Sequence, residues 1–300
     1  MKIPNRLAVV AALCVLSVSA CAPNSSPTAA VPTPTLTPTT STPTPTPVAV
    51  VSTPSDPISI DLADGVIHNK LYTAGKVPAV RCSLPRPDLT SKAGMVAYAK
   101  VLVACMDKAW APMVERSDAY LVPPEVFAYS MRHPEATPEC LDPPANSDAF
   151  YHWSGMTGKI CLEWEEFLDA DDPVANLIDF EQLVAHEYGH HVQRSVGILT
   201  LYNELMRGKS EAGQLEVMRR KELQASCLGA AFLGANKQTF ALSGRRLGIW
   251  RSIVQHVGDE YSTVRDHGSR KNHGYWTIRA FATTNPASCN TFTAPAKRVS

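Results

Sequence analysis

The chain has 300 residues, with 28 Lys and Arg against 28 Asp and Glu, 45% hydrophobic and 7% aromatic residues, 24 Pro and 8 Cys. Zero formal charge excludes a nucleic-acid binder that works by bulk electrostatics, and the length allows one large or two small domains. The average hides a division, because 10 of the 24 prolines and 10 threonines fall between Ala22 and Pro57, where Asp56 is the only charge.

In chain order, Lys2 and Arg6 precede the mostly apolar run Leu7 to Ala20. That run is too short to span a bilayer and suits the apolar centre of an export signal. Val18-Ser19-Ala20-Cys21 resembles a bacterial lipobox, which makes residues 1–20 a lipoprotein signal peptide and Cys21 the lipidated, palmitate-bearing first mature residue. The plainer alternative is an ordinary signal peptide ending at Ala20. Residues 21–57 read as the lipidated Cys and a disordered Thr/Pro tether, whose polyproline-like chain reaches up to roughly 100 Å. Residues 58–300 then form one domain of 243 residues. The implied location is the bacterial cell membrane, lipid-anchored on the extracytoplasmic face. Export removes Lys2 and Arg6, leaving 26 basic and 28 acidic residues, so nothing predicts a charged partner or nucleic acid.

In an exported domain six remaining cysteines read as three disulfides. Sequence proximity pairs Cys82 with Cys105 and Cys140 with Cys161, which leaves Cys227 with Cys289.

The domain reads as α+β and predominantly helical. A helix is predicted over Ala93 to Arg116, bent or ended by Pro112. Short β-prone runs follow at Ala119–Val122, Ala149–Trp153 and Lys159–Trp164, and suggest a small antiparallel sheet. Asp172-Pro173 has the form of an N-cap and first helical position. Leu177, Phe180, Val184, Tyr188 and Val192 continue that helix at intervals of three or four. Further helices are predicted over Ser210–Asn236, Arg245–Val257 and Asn272–Thr283. The acidic run Glu163, Glu165, Glu166, Asp169, Asp171 and Asp172 has no EF-hand spacing and reads as a solvated surface.

His186-Glu187-Tyr188-Gly189-His190 fits H-E-x-x-H. Residues four apart on a helix lie about 40° apart, so both imidazoles reach one metal. Glu187, turned about 100° away, is placed to take a proton from metal-bound water. His191 points about 100° from His190 and reads as a hydrogen-bonded face residue. Gln193 and Val196 occupy the positions where the longer metzincin pattern has Gly and a third His. The third ligand is therefore a downstream acid, and Glu204, Glu211, Glu216, Glu222, Asp259 and Asp266 all qualify on spacing. Glu222 stands out because the small, apolar face from Leu228 to Phe232 would let its helix approach closely. Its bland alternative is a solvated acid beside Arg219, Arg220 and Lys221.

The segments His186 to Gln193, Glu222 to Cys227 and His267-Gly268-Ser269 resemble the bacterial neutral zinc metallopeptidase family. The likeness extends to Asp148-Ala149-Phe150-Tyr151 and Cys289-Asn290-Thr291-Phe292. It implies a zincin-like fold with the small antiparallel sheet packed on the HExxH helix. It also implies one zinc per chain on His186, His190 and Glu222, and Glu187 as catalytic acid/base. Ser226 departs from the pattern, since Asp is common there and would orient a ligand His through its second ring nitrogen.

The activity so implied is hydrolysis of peptide bonds in a peptide or protein substrate. His267 is the candidate for holding the developing oxyanion, with Tyr261, His273 and Tyr275 as alternatives. Two other readings are a non-catalytic, zinc-stabilised envelope binding protein and a zinc hydrolase acting on another amide.

Overall fold

The computed structural model describes residues 62–133, 136–140, 142–145, 147–168 and 170–300. The export signal, Cys21, the tether and Asp169 lie outside the described residues.

Helix α1, Lys92–Glu115, begins where the Ser91 hydroxyl accepts from the Gly94 N–H, satisfying one free donor of its first turn. Pro112 sits inside its last turn and neither ends nor breaks it. The helix stops three residues later, so the loss of one backbone donor costs it little. The predicted strand Ala119–Val122 does not form. The strand starts only after Pro123 and Pro124, which cannot donate to a ladder, and β1 is Glu125–Tyr129.

β2, Ala149–Ser154, and β3, Thr157–Glu163, form an antiparallel hairpin, and β1 pairs with the far side of β3 in parallel. The sheet is therefore mixed, in the order β1-β3-β2, and the expectation of an antiparallel sheet is corrected. The reversal lies in the long connection from β1 to β2, which the Cys140–Cys161 bond ties to the central strand. Cys82–Cys105 and Cys227–Cys289 complete the three disulfides, in the pairing expected from the sequence.

The rest is helical. α2 spans Pro173–Ser195, with Asp172 capping the Val174 and Ala175 N–H groups and Pro173 in the first turn. The short α3, Tyr202–Met206, precedes α4, Glu211–Ala235, then α5, Gly244–His256, and α6, Arg270–Thr283. α4 is buried without interruption from Glu222 to Gly234, the signature of a helix enclosed on all sides. It packs between α2 and α6, while α1, α5 and the sheet cover the rest of α2. Trp110, Phe180, Tyr188, Phe232, Phe240 and Trp250 fill the core between these helices. Among the described residues, no helix is long and apolar enough to cross a membrane.

The acidic run is a solvated surface only in part: Glu166 and Asp171 are exposed, while Glu163, Glu165 and Asp172 have structural partners. Glu163 is buried and accepts the N–H groups of Met131 and Glu166. Glu165 accepts from Ser130 and pairs with Arg132, and Asp172 is the α2 cap. Their acceptor oxygens hold turns together, as short acidic side chains do where backbone donors are left over.

Candidate metal centre

The centre forms where α2 crosses α4. Gly189 on α2 faces the Ala225 carbonyl, Gly229 on α4 faces the Ala185 carbonyl, and a Cβ at either glycine would overlap that backbone. The close crossing brings the middles of the two helices together. Glu222 Oε2 lies 2.9 Å from His190 Nε2 and 3.3 Å from His186 Nε2, and the two imidazoles stand edge to face with centroids 4.8 Å apart. These three ligand atoms form one compact group.

Each side chain of this group has its other polar atom tied down. Gln193 donates through Nε2 to the carbonyl of Lys221 and to Gln224 Oε1. Its Oε1 therefore faces His190 Nδ1 at 2.8 Å, and only a proton on Nδ1 can make that bond, which leaves Nε2 toward Glu222. Lys221 Nζ holds Glu222 Oε1 at 2.7 Å, leaving Oε2 toward the histidines. Ser226 Oγ lies 2.7 Å from His186 Nδ1. Arg219 and Arg220 turn away, to the carbonyls of Val299 and Arg265 and to Glu216 respectively. Glu222 is thus buried and ordered by one lysine, and its reading as a solvated acid is corrected.

Electrostatics follow from burial. It pushes the Glu187 carboxyl up to about 7; Glu222 adds to the rise, and His190, His267 and Lys221 draw it down. Burial also lowers His186 to about 4. For Glu222 burial alone would raise the pKa, yet Lys221, His190, His267 and the His186 hydrogen bond hold it well below the usual carboxylate range. Two ring nitrogens thus converge on an ionised oxygen at contact distance, and a cation among the three would replace the protons that otherwise hold them together. The donor set of two imidazoles and one carboxylate suits zinc. The 2.9 and 3.3 Å separations lie at or below the ~3.3 Å edge of a tetrahedron with zinc bonds of about 2.0–2.1 Å, while the three ligand atoms as a set span up to 4.8 Å, wider than that edge.

Of the other residues singled out in the sequence, His267 reaches the site. Its Nε2 is 3.7 Å from Glu222 Oε2, while Nδ1 bonds Asp266 at 2.7 Å. Burial opposes charge on the ring, but Glu222 and Asp266 prevail and raise its pKa to about 9. Asp259 holds the loop by accepting the N–H groups of His267 and Gly268. Glu204 pairs with Arg207 and Glu216 with Arg220, and Glu211 is exposed at the start of α4. Tyr261 is exposed under Arg270, and Tyr275 packs against Trp276 and Arg298. His191 Nδ1 meets the Tyr151 hydroxyl of β2 at 3.1 Å and stays outside the cluster, as its angle on the helix predicted. The roles of Gln193 and Lys221 were not read from the sequence. Gln193 carried a signal, three residues after His190 on the same helix face; nothing local separates Lys221 from its two arginine neighbours.

A His-His-Glu group on two crossing helices, with a buried Glu next to it in sequence, offers the donor set for one divalent metal ion. Residues 82–292 match the family described as "Putative neutral zinc metallopeptidase", and the chain belongs to that family. It is 29% identical over 147 residues to "Uncharacterized protein YpfJ" of Escherichia coli (strain K12), covering 45% of this chain and 51% of that protein. It is 31% identical over 134 residues to "Uncharacterized protein Rv2575" of Mycobacterium tuberculosis (strain ATCC 25618 / H37Rv), covering 38% of this chain and 44% of that one. The chain thus spans about half the length of these relatives. No solved structure matches it significantly.

Proposed function

We propose that this protein is a membrane-anchored, extracytoplasmic zinc-dependent peptidase, with His186, His190 and Glu222 as the zinc ligands and Glu187 as the general acid/base. The observation that carries this reading is the convergence of His186 Nε2, His190 Nε2 and Glu222 Oε2 on one point next to a buried, otherwise unexplained carboxylate. Bound zinc supplies an acidified water and polarises the scissile carbonyl.

The chain's own residues do the rest. Glu187, with a carboxyl raised toward neutral pH, is matched to accept a proton near pH 7 and return it to the leaving amine. Its burial at 3% exposure keeps that proton from bulk solvent. His267, cationic and open to solvent on one side, is placed to hold negative charge developing on the carbonyl oxygen. Lys221 and Gln193 keep Glu222 and His190 from swinging as charge moves. Anchoring through Cys21 would keep the domain at the outer face of the membrane, where disulfides persist.

The alternative of a purely structural zinc is disfavoured by the donor count. Structural sites are closed by four protein ligands, and among the described residues the group contains three. The test uses the full chain, with zinc content measured alongside cleavage of unfolded casein. We expect about one zinc per chain in both wild type and Glu187→Gln, and a loss of cleavage of about 10²–10⁴-fold in the variant. Equal cleavage by the variant would overturn the assignment.

A further inference from the structure

We propose that His273 is a positioning residue for the metal centre: with Ser226 it forms a relay that fixes the tautomer and ring orientation of His186. The inference rests on the reading of His186 as a zinc ligand.

His273 sits in the first turns of α6, buried at 5% exposure, with Asn272, Gly274 and Thr277 around it. Its Nδ1 is 2.8 Å from the carbonyl oxygen of Val254 at the end of α5. A carbonyl only accepts, so Nδ1 carries the proton. Among the described residues no carboxylate is hydrogen-bonded to the ring, and burial lowers its pKa to about 4, so the imidazole is neutral and its Nε2 is an acceptor. Nε2 lies 2.9 Å from Ser226 Oγ. The hydroxyl therefore donates to His273 and has only lone pairs left for His186 Nδ1, 2.7 Å away on the other side. That contact requires the proton on Nδ1 of His186 and leaves Nε2 bare and directed at Glu222.

Direction is thus imposed from the Val254 carbonyl, through three side chains on three helices, to the atom that would bind metal. An Asp at 226 would set the same tautomer by its charge alone. A serine cannot, because a hydroxyl donates as readily as it accepts. Ser226 needs His273 to decide its direction, and the pair together do what a single carboxylate would do. His190 is served in parallel by Gln193, whose amide is oriented by the Lys221 carbonyl. Both histidines are thereby set by backbone acceptors.

The test reads the tautomer directly. Two-bond proton–nitrogen correlation spectra of the full chain, ¹⁵N-labelled at histidine and free of metal, should show His186 protonated at Nδ1. Ser226→Ala and His273→Phe should each give a mixture of tautomers at His186. Each should also weaken zinc binding, measured by chelator competition, by about 10–100-fold. Because the two residues act in series, the double variant should bind zinc within about twofold of the single variants. Unchanged His186 tautomer in Ser226→Ala, or additive losses in the double variant, would overturn the relay. If wild type bound no zinc at all, the peptidase reading would fail while the tautomer result still decided the relay.

Discussion

At the scale of single residues, the same α2 that carries the metal group carries a second buried acid with a different role. Glu181 accepts the Tyr98 hydroxyl at 2.7 Å and faces Arg246 at 3.5 Å, and its side chain is 4% exposed. Burial raises its carboxyl to about 7, with Tyr98 and Arg246 pulling the other way. A carboxyl raised on folding binds more protons folded than unfolded between its two pKa values. Stability from this group is therefore highest at and below about pH 4.5, falls as pH rises through the interval to about 7, and stays reduced above it. Glu181→Gln removes that titration. Denaturation curves at pH 5 and pH 8 should show the variant losing about 2 kcal/mol less than wild type across the interval. An identical pH slope in the two proteins would mean that Glu181 titrates at its unfolded value.

At the scale of elements, the centre depends on how closely α2 and α4 approach. Gly189 and Gly229 permit that approach because each faces a backbone carbonyl of the other helix, which cannot rotate aside. An alanine inside a helix normally gains about 1 kcal/mol over glycine. Gly248 on α5 meets nothing within van der Waals reach, so Gly248→Ala should realise up to that gain. Gly189→Ala should do the reverse, with a net loss of about 2 kcal/mol or more, because the two helices must separate. The same separation should weaken zinc binding at His190, one residue along. Thermal melts of the two variants, read with zinc titrations, check the contrast. Stabilisation by Gly189→Ala would show that the crossing is looser than described.

At the scale of the whole molecule, three disulfides staple a helical core, and Cys227–Cys289 closes the longest loop, a separation of 62 residues. By loop entropy such a crosslink stabilises by about 4 kcal/mol, and it joins the centre of α4 to the segment after α6. That Gln224 also donates to the Cys289 carbonyl binds this segment to the helix bearing Glu222. The proposed anchor adds a test at the same scale. Cys21→Ser in a bacterial host should abolish incorporation of labelled palmitate and move the protein from the membrane to the soluble extracytoplasmic fraction. Retention of the label would place the lipid elsewhere.

Much of this was legible in the linear order of residues, wherever a local period or spacing carries the information. The 3.6-residue apolar period located α1, α2, α4, α5 and α6 to within a few residues, Asp172-Pro173 marked the start of α2, and the four-residue spacing put His186 and His190 on one face. Proximity paired Cys82 with Cys105 and Cys140 with Cys161, and Cys227 with Cys289 followed as the remainder, as the structure has them. The sheet was less legible, because β-prone runs such as Ala119–Val122 and Glu125–Tyr129 differ by their tertiary partner, not by composition, and the direction of β1 depends on a distant pairing with β3. Spacing alone left six acids open as the third ligand. The crossing of α2 over α4 brought Glu222 to the histidines, while Glu204, Glu216, Asp259 and Asp266 have other partners and Glu211 is exposed, and it turned Ser226 and His273 into a single hydrogen-bonded path. Sequence set which chemical groups each helix displays, since that follows from local geometry. Only the tertiary structure decided which of them meet, because contacts across 30 to 50 residues are fixed by how the helices pack.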